Sequence, residues 1–186
     1  LVGVHSHSKD KVGRDAAELC GWPEPTGVIA TNDAEALLAL DADCVCYTAQ
    51  GETRMPAAIE DLCRILASGK NVASTSMVAL VYPPAASPRM VERLRSACEQ
   101  GQTSFFTSGF DPGFSGDLIP LAMAACCERV DSVRVSELMD YSRYEDPGFT
   151  GVFFGYGRPL DFARADAREL LRHATQVKNI WVPYGA

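Results

Sequence analysis

The chain has 186 residues, 47% of them apolar, with 24 acidic and 17 basic side chains and a formal net charge of −7. That much apolar material fills a core and excludes a disordered chain, while the acidic balance argues against nucleic acid or an anionic membrane as partner, since both reward clustered Lys and Arg. No apolar run approaches the roughly 20 residues of a membrane helix, and no charged start leads into an apolar stretch, so a cytoplasmic protein without a secretory leader is expected.

In chain order, LVGV reads as a buried strand, and DAAELCG as a short helix stopped by Gly21. GVIAT is a brief strand, and TNDAEALLAL a helix capped by Asn32 or Asp33. DCVCYTA is the next strand. PAAIEDLCRILASG is the clearest helix, with Ile59, Leu62, Cys63 and Leu66 on one face and Gly69 as its stop. NVAST is a strand. SPRMVERLRSACEQG is a helix with Ser87 at its cap, Pro88 in its first turn and Gly101 at its end. TSFFTSG is a strand. After a Gly-Phe-Asp-Pro-Gly-Phe turn, SGDLIPLAMAACCERV is a helix apolar nearly all round, and so is expected to be deeply buried.

Continuous apolar strands alternating with amphipathic helices indicate an α/β domain with a parallel sheet. The pattern changes near Asp131: DSVRVSELMDY is longer and alternates loosely, as the first strand of another sheet would. The reading is a Rossmann-type domain over residues 1–130 and the start of a second, α+β domain over residues 131–186. The seven cysteines mostly neighbour apolar residues, so reduced, buried thiols are expected. There is no C-x-x-C, and His5 and His7 have no third ligand nearby, so no metal site is expected.

A dinucleotide-binding fold begins with a strand running into G-x-G-x-x-G, where glycines let the backbone approach a pyrophosphate. G-x-G occurs only as Gly155-Tyr156-Gly157, with no helix-forming sequence after it. The pattern fits if LVGV is the second strand of the order 3-2-1-4-5-6, which places the first strand and its glycine loop outside this sequence. Opening on Leu1, inside an apolar run, agrees with a piece of a longer chain. Such a piece is expected to be inactive by itself.

Three segments carry a specific resemblance: LVGVHSHSKDKVGRDAAELCG, LCRILASGKNVASTS followed by Tyr82-Pro83, and GFDPGFSGDLIP. In this order they resemble the dihydrodipicolinate reductase-like superfamily, nearest the branch of 2,4-diaminopentanoate dehydrogenase and the native amine dehydrogenases. The resemblance spans Leu1 to Gly157. It implies a nicotinamide cofactor and hydride transfer at a C=N or C=O bond of a small molecule, in a protein that is a homo-oligomer at full length.

The loop after the second strand separates NAD from NADP, because an acid there holds the ribose 2′-hydroxyl and repels a 2′-phosphate. Here it reads His5-Ser6-His7-Ser8-Lys9, with no acid before Asp10. Ser6, His7, Ser8 and Lys9, helped by Lys11 or Arg14, suit the phosphate of NADP, with NAD the alternative and a solvated polar turn the plainer reading. Ligands of open α/β sheets lie at the carboxyl ends of the strands. Those ends offer Thr48, Ala49 and Gln50, then Ser74, Thr75 and Ser76, then Gly109, Phe110 and Asp111. The resemblance puts the first two groups along the nicotinamide and its ribose.

Amine-forming relatives resemble one another in a Cys-Glu-Glu-like run after the strand equivalent to NVAST; this chain has Ser76-Met77-Val78, which argues against amine dehydrogenase activity of the usual type. Dihydrodipicolinate reductases carry Glu-x-His-His-x-x-Lys-x-Asp-x-Pro. Here Glu137 and Pro147 keep their places, Arg143 and Glu145 replace the Lys and Asp, and Met139 and Asp140 replace the histidines. A methionine donates no proton, which argues against that reductase activity. Asp140, Tyr141, Arg143 and Tyr144 remain as a cluster of acid, base or carboxylate-holding candidates, beside Asp111. The plainer readings are a charged strand end for the cluster and a simple turn for Asp111-Pro112-Gly113. A non-catalytic ligand-binding or assembly protein on the same fold is the alternative function, and an unrelated α/β enzyme a third.

Overall fold

The computed structural model describes residues 1–136. The elements run β1 (Val4–His5), α1 (Ala16–Cys20), β2 (Ala30–Thr31), α2 (Ala34–Leu38), β3 (Cys44–Tyr47), α3 (Met55–Ala67), β4 (Asn71–Ser74), α4 (Pro88–Gly101), β5 (Phe105–Thr107) and α5 (Ile119–Ala124). No helix among the described residues is long and apolar enough to cross a membrane.

The strands form two sheets, β1-β2 and β3-β4-β5. The first is parallel, with Val4 opposite Ala30 and His5 opposite Thr31. In the second, Val72 N donates to Ser104 O and Ser108 N to Ser74 O. Partners that advance together along both strands are the mark of parallel pairing. The orders match strands 3-2 and 4-5-6 of a doubly wound sheet, and no described strand takes the place of strand 1. The α/β architecture expected from the alternating pattern is therefore present.

The chain divides into two compact units. The first comprises Leu1–Tyr47, Ile59–Ala73 and Ser87–Phe106, and holds most of the regular structure. The stripe on α3 is buried as its spacing requires: Ile59 is 4% exposed, Leu62 and Leu66 0%. Each such leucine is worth roughly 1.5–3 kcal/mol relative to an exposed position. The Asp15 side chain caps α1 by accepting Ala17 N–H, and Gly21 ends that helix at φ 71. Asp33, of the two candidates, caps α2 through Ala36 N–H.

Polar side chains then tie the elements of this unit together. Lys70 is buried and donates to Leu38 O, the last carbonyl of α2, at 2.8 Å, where the helix dipole favours a cation. Asn71 serves both neighbours of its strand: its amide donates to Asp43 O at 3.1 Å, and its side-chain oxygen accepts Ser104 N–H at 2.9 Å. Thr103 Oγ1 donates to Leu66 O at 3.0 Å, satisfying a carbonyl in the last turn of α3.

Three expectations change. Gly101 is the last residue inside α4, and Gln102, at φ 54, takes the left-handed position. Gly101 is needed for space, since a Cβ there would stand 1.9 Å from Leu66 O. Among the cysteines, Cys20, Cys44, Cys46, Cys126 and Cys127 are exposed, and Cys63 and Cys98 half-buried. Burial pushes the Cys63 and Cys98 thiols up from their ordinary range. Residues two apart on a strand share a face, and on β3 the face carrying Cys44 and Cys46 is exposed at both. Finally, the segment after the Asp-Pro-Gly turn is exposed rather than buried: Leu118 is 60% exposed, Leu121 68% and Met123 66%. All-round apolarity states how much contact a segment is suited to make, and residues 1–136 do not supply it. The proposed second domain, apart from residues 131–136, lies outside the described residues.

Candidate functional site

The second unit comprises Thr48–Ala58, Ser74–Ala86 and the described residues from Thr107 onward. These are the segments that follow β3, β4 and β5. Ser76 ties them together. Its N–H donates to Ser74 Oγ at 2.9 Å, its carbonyl accepts Thr107 Oγ1 at 2.6 Å, and its own hydroxyl donates to Ala49 O. Ser74 Oγ also donates back to Ser76 O at 3.2 Å. Ser74, Ser76 and Thr107 are all buried, and a buried hydroxyl stays buried only when its hydrogen bonds are made.

After this knot the backbone is forced. Met77 sits at φ 67 and ψ 61 and is 1% exposed. A side chain in the left-handed region costs roughly 1–2 kcal/mol, which its surroundings must offset. Gly51 provides part of the room, since a Cβ there would stand 2.6 Å from Met77 Sδ. Glu52 provides an anchor: its carboxylate accepts Val78 N–H at 3.0 Å, and its own N–H donates to Gln50 Oε1 at 3.2 Å.

The turn after β5 is built with comparable closeness. The Asp111–Pro112 bond is cis, and Gly113 lies at φ 136. A Cβ on Gly113 would stand 2.2 Å from Gly109 O, so only glycine fits. Phe114 N donates to Gly109 O at 2.9 Å, and Ser115 donates to Phe110 O through both its N–H and its hydroxyl. The chain then makes a single wide turn, Phe114–Leu118, before α5. Gly116 in that turn leaves room for the Asp111 carboxylate, which would lie 3.0 Å from a Cβ there.

Between the β4 and β5 segments lies a cavity of about 460 Å³, lined by Thr75, Val78, Val81, Thr107, Ser108, Gly109, Phe110, Asp111 and Pro112. Its size falls within the range of small-molecule sites. Apolar walls, hydroxyls and one half-buried carboxylate suit a compact ligand that carries a proton-exchanging group.

The residues proposed from the sequence divide accordingly. Thr48, Ala49, Gln50, Ser74, Thr75 and Asp111 all fall in this unit, and Thr75 and Asp111 line the cavity. Ser74 does not present its hydroxyl outward, because that group is spent on Ser76. Asp140, Tyr141, Arg143 and Tyr144 lie outside the described residues. Gly51, Glu52 and Met77 are site residues that the sequence does not single out. The Ser74-Thr75-Ser76 hydroxyl run was the one signal pointing to Ser76, and nothing in a sequence marks a methionine as left-handed.

Ser6, His7, Ser8 and Lys9 belong to the first unit. Ser6 N donates to Thr31 O at 2.9 Å and Ser8 N to Ser6 Oγ at 3.2 Å, which shapes the loop. The His5 and His7 rings meet edge-on at 4.6 Å. His7, Ser8, Lys9 and Lys11 are exposed. Arg14 pairs with Glu18 at 2.9 Å, with both side chains largely in solvent, a contact weak enough to be exchanged for another anion. The donors of this loop fit a phosphate group.

No family model matches the chain. Over 162 residues it is 36% identical to an amine dehydrogenase of Streptomyces virginiae, an alignment that covers 87% of this chain and 45% of that protein. A solved amine dehydrogenase from Mycobacterium smegmatis matches it with a TM-score of 0.58 at 22% identity, covering 95% of this chain and 54% of that one. The chain thus spans about half the length of the relatives it matches. It is similar in sequence to one amine dehydrogenase and shares the α/β fold of another.

Proposed function

We propose that the protein is an NAD(P)H-dependent oxidoreductase that interconverts a small amine with its imine or carbonyl counterpart. The observation that carries this reading is the cavity at the carboxyl ends of β4 and β5, where open α/β sheets bind ligands, with the Asp111 carboxylate in its wall. Similarity to an amine dehydrogenase supports the choice of amine chemistry.

When bound, the nicotinamide supplies or accepts the hydride. The chain's own residues do the rest. Thr75, with Thr48, Ala49 and Gln50, offers small and polar surface against a nicotinamide and its ribose. Asp111 holds or releases the proton that accompanies hydride transfer at the substrate nitrogen or oxygen, the task of a positioned carboxylate. In the first unit, Ser6, His7, Ser8 and Lys9 offer donors for a 2′-phosphate, which favours NADP over NAD. Asp140, Tyr141 and Arg143 are held as substrate-binding candidates of residues 131–186, a stretch proposed as a substrate and dimerisation domain. The full-length protein is proposed to be a cytoplasmic homo-oligomer.

The test is a fluorescence titration of the full-length protein with NADPH and NADH, followed by turnover assays on a panel of amines, and of ketones with ammonium. Tight NADPH binding with amine-dependent turnover is expected. Absence of nicotinamide binding overturns the proposal. Binding without turnover on any substrate leaves the non-catalytic ligand-binding reading.

A further inference from the structure

One wall of the cavity is set by a loop that does not itself line it. Val78 lines the cavity, and its N–H is held by the Glu52 carboxylate. Just before it, Met77 is buried in a left-handed conformation that a non-glycine residue adopts only when its surroundings enforce it. Two adjacent residues after β3 enforce it: Gly51 leaves space for the Met77 thioether, and Glu52 fixes the following N–H. If the Glu52 bond is lost, relaxation of Met77 swings Val78, because the two share a peptide bond. The bond ends on main chain in the cavity wall, so its loss alters the shape of the site.

We propose that Glu52 is a positioning residue, which orients the substrate by fixing Val78 and does not touch the reacting atoms. The proposal rests on reading the cavity as the substrate site. It separates reach from charge. Glu52→Gln keeps an oxygen at the same distance and loses the charge, whereas Glu52→Asp keeps the charge and shortens the reach.

Steady-state kinetics on the full-length protein decide it. E52Q is expected to keep kcat within about threefold of the unmutated protein, because an amide oxygen accepts the same hydrogen bond. E52D is expected to lose roughly a hundredfold in kcat, the scale of a misplacement of about 1 Å, with nicotinamide affinity unchanged. G51A, whose added Cβ meets Met77 Sδ, is expected to repeat the E52D loss without altering any carboxylate. The reverse order, with E52Q inactive and E52D active, assigns Glu52 an acid–base role and overturns the proposal. Full kcat in both E52D and G51A overturns it as well. An unmutated protein that binds no nicotinamide and turns over no amine or carbonyl instead overturns the functional reading, and this inference falls with it.

Discussion

The two units of the described chain satisfy their buried polar groups in different ways. In the first, side chains serve repeating structure: Asp15 caps α1, Asn71 bridges three strands, and Lys70 and Thr103 satisfy carbonyls at the ends of α2 and α3. In the second, side chains serve irregular backbone: Ser76, Thr107 and Glu52 hold loop to loop, and Met77 is kept where a methionine does not settle unaided. Both follow the rule that buried donors and acceptors find partners, with different consequences. Damage to these supports in the first unit is expected to appear as lost stability, and damage around the cavity of the second as lost function.

Gly101→Ala presses hardest on that contrast. Its Cβ would meet the main-chain oxygen of Leu66 at 1.9 Å, an atom with no rotamer to give way. A cost of about 3 kcal/mol or more is expected, read as a fall in the urea midpoint. A tolerated alanine shows that α3 and α4 do not need this close approach.

Asp111→Asn tests the opposite side. Turnover by the full-length protein should fall about a hundredfold, the scale of a lost general acid or base, with little change in melting temperature. A stability loss with turnover intact makes Asp111 a turn residue. Ser76→Ala stands between the two: loss of the hydroxyl bond to Ala49 O should cost about 1–2 kcal/mol, and urea denaturation measures it. Lys9→Ala should weaken NADPH binding roughly tenfold and leave NADH binding unchanged. Equal losses for both cofactors remove the assignment to the 2′-phosphate.

The smallest effect is a pH dependence at Asp15. Hydrogen bonds from Thr26 N–H, Ala17 N–H and the Thr26 hydroxyl, with a lesser one from Gly27 N–H, lower its carboxyl from 3.8 to about 2. The folded value lies below the unfolded one, so the contribution to stability is complete above 3.8 and is lost as pH falls through about 2. Amide shifts of Ala17, Thr26 and Gly27 followed in an acid titration should show this transition, and Asp15→Asn should lack it.

Much of the first unit was legible because its signals are local. The cap at Asp33, the stop at Gly21 and the stripe of Ile59, Leu62 and Leu66 each follow from residues within a few positions of one another. The alternation of strands and helices carried the α/β fold by the same logic. Of the candidate site, the strand ends named segments that fall in one unit, where Thr75 and Asp111 line a cavity. That Ser74 turns its hydroxyl to Ser76, and that the Asp111 turn closes on Gly116, were not legible.

By itself the sequence determined the order of elements and some of their starts and stops, because helical and strand periodicities are properties of neighbouring residues. Tertiary structure alone decided that Gly101 is a point of contact rather than a stop, that Cys44 and Cys46 are uncovered, and that Glu52 accepts the Val78 N–H across 26 positions. The physical reason is that burial and strain depend on what the fold brings alongside a residue, which neighbours in the sequence do not specify.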